Sequence, residues 1–528
     1  MERSGARTAK TRVLISGAGP TGLLLAAELR RRGVDCMLID ELDAPRGWDR
    51  ATVIHPRSLQ ILEALGLAPR FLEQGARMRV AQLHSRGELL GELDLELASS
   101  AYGFDLQLSE EVTERLLTGY VESVGGAVRR STRLVGFIEG PDAVTASLEE
   151  NGASFDVESE WLVGCDGLRS VVREQCGIEF PGSDVERLWA VFDAAIAGWD
   201  RGFDVGSVFL DTPPLILMPL PGRRWRAYLR PSSDESDLVA EASEVLQRYV
   251  PDGEFTAVEN PARFRCHSRV ASRYRSGRAL LAGDAAHVCS PAEGHGMNTG
   301  LQDAFNLGWK LALVCRGEAS EALLDSYEIE RRPVAERIVA SGADAEAGAA
   351  LADAAGRSER DVGVRTTYAD PAAAHHEAVA AAELDRSYAN SPIVGGAWAA
   401  RFPSGRLFPD TAPAAHPAAG SAPLHRYAHR TGHTVIVLGG DGAEPGAVAD
   451  LVERLEAATG DSPLVSGVLG FGTRPGGTAV GRIGQEVADL LAIDGVTVLA
   501  VRPDRYVGLR HDGTDPEPVA RYFEALAG

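Results

Sequence analysis

Thr11-Arg12-Val13-Leu14-Ile15-Ser16-Gly17-Ala18-Gly19-Pro20-Thr21-Gly22 is an apolar run that empties into three glycines with the spacing Gly-x-Gly-x-x-Gly. The run has the length of a buried parallel strand. Leu23-Leu24-Leu25-Ala26-Ala27-Glu28-Leu29-Arg30 continues as a helix that Gly33 stops. A second apolar run, Cys36-Met37-Leu38-Ile39, ends in Asp40. This strand–turn–helix–strand order is the context the glycine pattern needs. Gly17 permits the tight turn, Gly19 lets the backbone approach a pyrophosphate, and Gly22 lets helix and strand pack closely. Pro20 and Thr21 open the helix, whose N-terminal N–H groups and partial positive charge suit phosphates. Asp40 stands about twenty residues on, where an acid accepts from a ribose hydroxyl. The motif implies a dinucleotide but does not separate FAD from a nicotinamide.

Two later blocks narrow the choice. One is Leu162-Val163-Gly164-Cys165-Asp166-Gly167-Leu168-Arg169-Ser170. The other is Arg278-Ala279-Leu280-Leu281-Ala282-Gly283-Asp284-Ala285-Ala286-His287, followed by Gly294-His295-Gly296-Met297-Asn298-Thr299-Gly300. Taken with the first, in this order, they make the chain resemble the FAD-dependent aromatic hydroxylases, the single-component flavoprotein monooxygenases of the phenol and polyketide hydroxylase type. Leu324 to Pro333 is a further marker of that family, read as structural.

The resemblance implies an α/β fold: a Rossmann-like FAD-binding domain, an inserted β-sheet substrate domain and a C-terminal thioredoxin-like domain. The boundaries expected are 11–182 and 273–400 for the FAD-binding domain with a helical connection, 183–272 for the substrate sheet, and 424–528 for the C-terminal domain. It also implies FAD-binding roles for residues that match the motifs. Asp166 would stand at the cofactor edge, and Asp284 would take a ribityl hydroxyl. Pro291 to Asn298 would run along the isoalloxazine, with Gly296, Met297 and Asn298 offering backbone groups at a helix that starts near Thr299. Arg50, in Asp49-Arg50-Ala51, matches a turn near the flavin. Gln107 is chosen over Glu110 for the glutamine that precedes the Thr113-Glu114 pair. Where the family pattern has Pro-Pro-x-Gly-Gly-Gln, this chain has Ser290-Pro291-Ala292-Glu293-Gly294-His295. Glu293 and His295 would lie near the flavin, either as a salt-linked loop or in proton traffic.

The implied reaction consumes O2 and NADPH or NADH and hydroxylates a small aromatic substrate, phenolic or polyketide, through a flavin C4a-hydroperoxide. Baeyer–Villiger oxygenation or epoxidation on the same scaffold, and a flavin-binding module without turnover, are the alternatives. No residue is assigned the task of activating the substrate. A second Gly-x-Gly-x-x-Gly for the nicotinamide cofactor is absent, in agreement with the family.

The bulk properties fit this reading. A net charge of −22 argues against a nucleic-acid partner held by phosphate neutralisation and against an anionic membrane surface. No run reaches membrane-span length and residues 1–10 are not of signal-peptide type, so a cytoplasmic protein is expected. A homo-oligomer is admitted. Six scattered cysteines suggest neither a disulfide framework nor a zinc site, and none follows Cys315, which excludes dithiol chemistry in the C-terminal domain. His425, His429 and His433 are spaced by four, but Gly432 breaks the helix that would align them, and no metal is expected. Residues 403–423, rich in Pro, Ala and Gly, read as a linker.

Overall fold

The computed structural model describes residues 9–45, 51–97, 100–185, 188–199, 202–291, 294–349, 353–397, 400–417, 420–474 and 480–528. Its first sheet has eight strands. The central path runs Arg275–Ser276, Ala279–Leu281, Ala153–Gly164, Ala9–Ser16, Cys36–Ile39 and Val128–Arg129. Thr132–Glu139 and Val144–Glu150 fold back antiparallel from Ala153–Gly164. Four central strands are parallel and in matched register: Ile39 lies beside Ser16, Ser16 beside Gly164, and Gly164 beside Leu281. Asp40, Gly17, Cys165-Asp166 and Ala282-Gly283-Asp284 therefore leave the sheet at the same carboxyl edge. That edge is where open α/β sheets bind ligands.

The Gly-motif helix, Pro20–Arg30, covers this sheet with Leu23, Leu24, Leu25, Ala26 and Ala27 all buried. It packs along the long helix His295–Arg316, so closely that a Cβ on Gly308 would sit 2.6 Å from the Cβ of Glu28. The long helix begins four residues before Thr299, the start expected from the sequence. Gly294 caps it in the left-handed conformation, at φ 71°. Gly296, Met297 and Asn298 thus belong to its first turn, where N–H groups have no intrahelical acceptor.

The second sheet has seven strands in the order Glu254–Phe264, Trp189–Ala197, Arg224–Leu229, Leu215–Leu220, Val205–Phe209, Val80–Ser85 and Glu88–Asp94. Its last two strands come from outside 183–272. The alternation of a strand's side chains divides the sheet into two faces. Leu215, Leu217, Ala227 and Leu229 pack with Phe192 and Trp225 under the helix Leu238–Gln247. Ile216, Met218 and Tyr228 turn to the other side, into a cavity.

Apart from the short strand Gly481–Ile483, which precedes its second helix, the C-terminal unit follows a β-α-β-α-β-β-α order. His433–Gly439 is parallel to Val465–Gly472 and antiparallel to Val496–Val501, which pairs antiparallel with Val507–Asp512. The helices are Ala447–Thr459, Gln485–Leu490 and Glu517–Ala527. This is the thioredoxin-like arrangement. The stretch 403–423 is more than a linker. Pro413–His416 and Gly420–Pro423 form a hairpin whose first strand pairs with Gly481–Ile483. Proline is tolerated there because the hairpin lies at the sheet edge. Among the described residues, no helix is long and apolar enough to cross a membrane.

Candidate active site

One continuous cavity of about 1480 Å³ opens from the carboxyl edge of the first sheet to the face of the second. A single small-molecule pocket holds roughly 300–1,000 Å³. This cavity has room for an extended dinucleotide and a second molecule together.

Its first wall is built by the glycine turn. A Cβ on Gly17, which sits at φ 102°, would lie 2.2 Å from the Cys165 carbonyl oxygen. One on Gly22 would lie 1.9 Å from the Gly17 carbonyl oxygen. Gly17 lets the first and second motif strands touch, and Gly22 lets the helix close onto its own turn. Gly19 is different: the nearest protein atom to its Cβ position is Glu114 Oε1, at 3.8 Å, so its backbone faces open space at the helix N-terminus. Gly17, Gly19, Pro20 and Thr21 line the cavity, while Gly22 lies behind them. Thr21 also joins motifs. Its side chain is seated against Gly283 and Gly300, where a Cβ would come within 2.6 and 2.3 Å of its Oγ1.

Three acids reach this space. Asp40 accepts from the Ala18 N–H at 2.8 Å and the Leu42 N–H at 2.9 Å, and Arg130 stands 3.6 Å from its Oδ1. Asp166 accepts from the N–H groups of Val171 and Val172 through Oδ2, but its buried Oδ1 has no partner among the described residues. Burial pushes the Asp166 carboxyl upward against those hydrogen bonds. Asp284 is the one exposed residue in the otherwise buried run Ala279–Val288, and it opens into the cavity. Its turn is fixed from below: Asp303 Oδ2 accepts from the Gly283 N–H at 3.1 Å and pairs with His287 Nε2 at 2.6 Å. The other Asp303 oxygen holds Arg331 at 2.7 Å. The marker segment around Arg331 is thus a brace beneath the third motif.

Pro291, Gly296 and Met297 line the cavity. Asn298 does not. Its amide is spent on the backbone, accepting from His55 N at 3.0 Å and donating to the carbonyls of Val53 and Gly294 at 2.9 Å. Gln107 also lies one layer back, fully buried, its Nε2 3.8 Å from Met78 Sδ and its Oε1 without a partner among the described residues. Glu110 and Glu114 are the nearby residues that reach the cavity. Arg50 and Glu293 lie outside the described residues.

The second wall is apolar: Met78, Leu83, Leu93, Leu95, Trp189, Val208, Ile216, Met218, Tyr228 and Phe264. Polar groups border the cavity too, and several of them are engaged. Tyr228 Oη lies 3.2 Å from Thr52 Oγ1. Glu346 accepts from Trp189 Nε1 at 2.7 Å, pairs with Arg230 at 2.8 Å and takes the Ser290 hydroxyl.

His295, singled out in the sequence, belongs to a cluster at the head of the long helix whose other members, His55, Asp105 and Glu383, the sequence did not reveal. His55 Nδ1 pairs with Asp105 at 2.8 Å, His295 Nδ1 pairs with Glu383 at 2.8 Å, and the two rings lie 5.0 Å apart. His55, Asp105 and His295 all border the cavity. The substitution of His for Gln in the third motif was the only signal of it. A second acid–histidine group, Glu63 with His425 and His429, lies at the joint with the C-terminal unit. Glu63 is already shared by His425 and Arg426, and the nearby Arg426 and Arg505 guanidiniums oppose a bound cation.

Residues 10–341 match the family model for the FAD binding domain. A 6-methylpretetramide 4-monooxygenase from Streptomyces rimosus is 38% identical over 363 residues, 67% of this chain and 64% of that protein. The match therefore spans a little under two thirds of that relative. The 12-dehydrotetracycline 5-monooxygenase/anhydrotetracycline 6-monooxygenase of Streptomyces rimosus subsp. rimosus is 31% identical over 520 residues, 94% of each chain. Among solved structures, the OxyS anhydrotetracycline hydroxylase from Streptomyces rimosus superposes with a TM-score of 0.78 at 29% identity, covering 97% of this chain and 98% of that one.

Proposed function

Because this chain belongs to the FAD-dependent aromatic hydroxylase family, we propose that it is an NAD(P)H- and O2-dependent monooxygenase that hydroxylates a phenolic or polyketide substrate. The observation that carries the reading is the convergence of three FAD motifs on one carboxyl edge, opening into a cavity whose far wall is an apolar sheet. When bound, FAD would supply the redox chemistry by which NAD(P)H and dioxygen place one oxygen atom on the substrate.

The chain's residues fit that cofactor. Gly19 and the first turn of the Gly-motif helix leave a cradle with free N–H donors for the pyrophosphate. Asp40 is positioned for a ribose hydroxyl, and Asp284, exposed within a buried run, for a ribityl hydroxyl. The backbone of Gly296 and Met297, at the N-terminus of the long helix, favours negative charge on a ring lying against it.

The substrate's place is the apolar wall. Met218, Ile216, Trp189 and Phe264 exclude water from the reacting face. The Tyr228–Thr52 contact spans the two domains at its edge. Clamped polar groups such as Glu346 leave mainly apolar contact for the rings of a bound aromatic.

The test incubates FAD-loaded protein with NADPH or NADH, O2 and a panel of phenols and aromatic polyketides, and analyses products by mass spectrometry. A product heavier by one oxygen atom is expected from at least one phenol. Yellow protein that holds FAD but shows no substrate-dependent NAD(P)H consumption would identify a flavin-binding module instead. On the same reading, acid precipitation releases the flavin into the supernatant.

A further inference from the structure

We propose that His295, held by Glu383, is the base that takes the phenolic proton of the substrate. This rests on the monooxygenase reading and assigns a residue to a step that reading leaves without one.

His295 is the first residue of the long helix and borders the cavity. Its Nδ1 is committed to Glu383 Oε1 at 2.8 Å, so Nε2 is the nitrogen left to exchange a proton with a ligand. Glu383 is fully buried. Its other oxygen accepts from the amide of Gln302, about two turns beyond His295 in the long helix. Burial on its own would raise the Glu383 carboxyl. The His295 hydrogen bond and the nearby His55 and Arg386 outweigh it and hold the group down to about 2. The carboxylate is therefore charged at neutral pH and can compensate an imidazolium at His295.

The backbone at Glu383 supports a dedicated role. It stands just past the helix Pro371–Ala381 at φ 58°, a left-handed position that glycine usually takes. A residue with a side chain is disfavoured there. The carboxylate is what a glycine could not supply.

The charged and titratable groups around His295 come from several elements. They are Glu383 and Arg386 after the helix Pro371–Ala381, His55 before the helix Pro56–Ala64, and Asp105 in the strand Asp105–Gln107. The two imidazoles, each anchored through Nδ1 to a carboxylate, stand side by side with their rings 5.0 Å apart. In the step proposed, the substrate O–H bond breaks, an Nε2–H bond forms on His295, and the O–H electron pair stays on the phenolate. The phenolate ring is the electron-rich partner that oxygen transfer requires. General bases of this kind contribute about 10²–10⁴-fold.

The test uses FAD-loaded full-length protein and whichever phenol of the panel is turned over best. His295→Gln should lower the hydroxylation rate at saturating phenol about a hundred-fold when the pH lies below the phenol's own pKa. The rate should return toward wild type once the pH exceeds that pKa, or when a more acidic nitro-substituted phenol is supplied. Glu383→Gln, which keeps an acceptor but removes the charge, should show the same pattern to a smaller degree. Equal losses at every pH and with every phenol, or no loss, would overturn the assignment while leaving the monooxygenase standing. Wild-type protein that oxygenates no phenol would remove the monooxygenase reading and the assignment with it.

Discussion

Asp284 is an acid kept exposed inside a run that is otherwise buried, and the chain braces it with an ion-pair chain through Asp303, His287 and Arg331. Such an acid has value only to a ligand. A hydrogen bond to a charged group is worth about 1.5–3 kcal/mol, so Asp284→Ala should weaken FAD binding by about ten- to a hundred-fold. Titrating apoprotein with FAD by flavin fluorescence measures it, and equal dissociation constants would remove Asp284 from the site. Gly22→Ala acts through a different cause. Its Cβ would meet the Gly17 carbonyl oxygen at 1.9 Å, backbone against backbone, so nothing flexible can yield. The variant should melt at lower temperature and hold less FAD, even though Gly22 itself does not border the cavity. A variant with parental melting and flavin content would show that the turn relaxes. Residues of this local kind were legible in the sequence because turn geometry is written within six positions. The pairing of His295 with Glu383 was not, because it joins positions 88 residues apart. Gln107 was chosen by position in a motif, and position alone does not say that its amide lies against the Met78 sulfur behind the cavity wall.

At the level of elements, the long helix His295–Arg316 does two things at once. Its first turn borders the cavity, and its last turns carry the joint to the C-terminal sheet. Trp309 and Leu313 enter the same core as Val435, Val437 and Val498. Beside them lies a buried charge network. Glu330 accepts from Lys310 at 2.7 Å and from Arg502 at 2.7 and 2.8 Å, and Asp504 accepts from Asn306 and Trp309 at 3.1 Å. Removing one member of a buried pair strands the others, at a cost of about 3–5 kcal/mol. Glu330→Gln should therefore destabilise the chain by roughly that amount in chemical denaturation. The same network sets an acid limit. Burial alone would raise the Glu330 carboxyl, but Arg502 and Lys310 hold it well below 4.5. Glu63 at the same joint is held down to about 2, where the His425 hydrogen bond overcomes burial. A depressed carboxylate contributes stability that is complete above its unfolded value, near 4.5, and that is lost as pH falls toward its folded one. The melting temperature should fall between about pH 4.5 and about pH 2, and fall less steeply in Glu330→Gln. A parallel decline in both proteins would place the acid sensitivity elsewhere. The strands and helices of the two sheets were legible from apolar period and glycine punctuation. The hairpin within 403–423 was not, because its prolines and alanines carry the composition of a linker, and only pairing with Gly481–Ile483 makes it a strand.

For the whole molecule, the C-terminal unit has no cysteine after Cys315, so it contributes packing and not electrons. The structure says what that packing holds. Arg502 and Asp504 complete the network on Lys310 and Glu330, and the Asp504 carbonyl accepts from Arg57 Nη2 at 2.8 Å, behind the His55 turn. A chain ending at Pro423 would keep the Pro413–Pro423 hairpin but lose the strand it pairs with. It would expose Trp309 and Leu313 and leave Lys310 and Glu330 without Arg502. Exposed apolar patches of this kind drive association, so the truncated protein should melt at lower temperature or assemble into larger species. Flavin chemistry should survive in any folded remainder, since the three motifs, Asp284 and the substrate sheet all precede residue 300. Thermal melting, light scattering and NAD(P)H-driven flavin bleaching of the truncated protein measure these three outcomes. A soluble truncation with unchanged melting and unchanged assembly, but no reduction of its flavin, would instead give the C-terminal unit a direct part in the reaction.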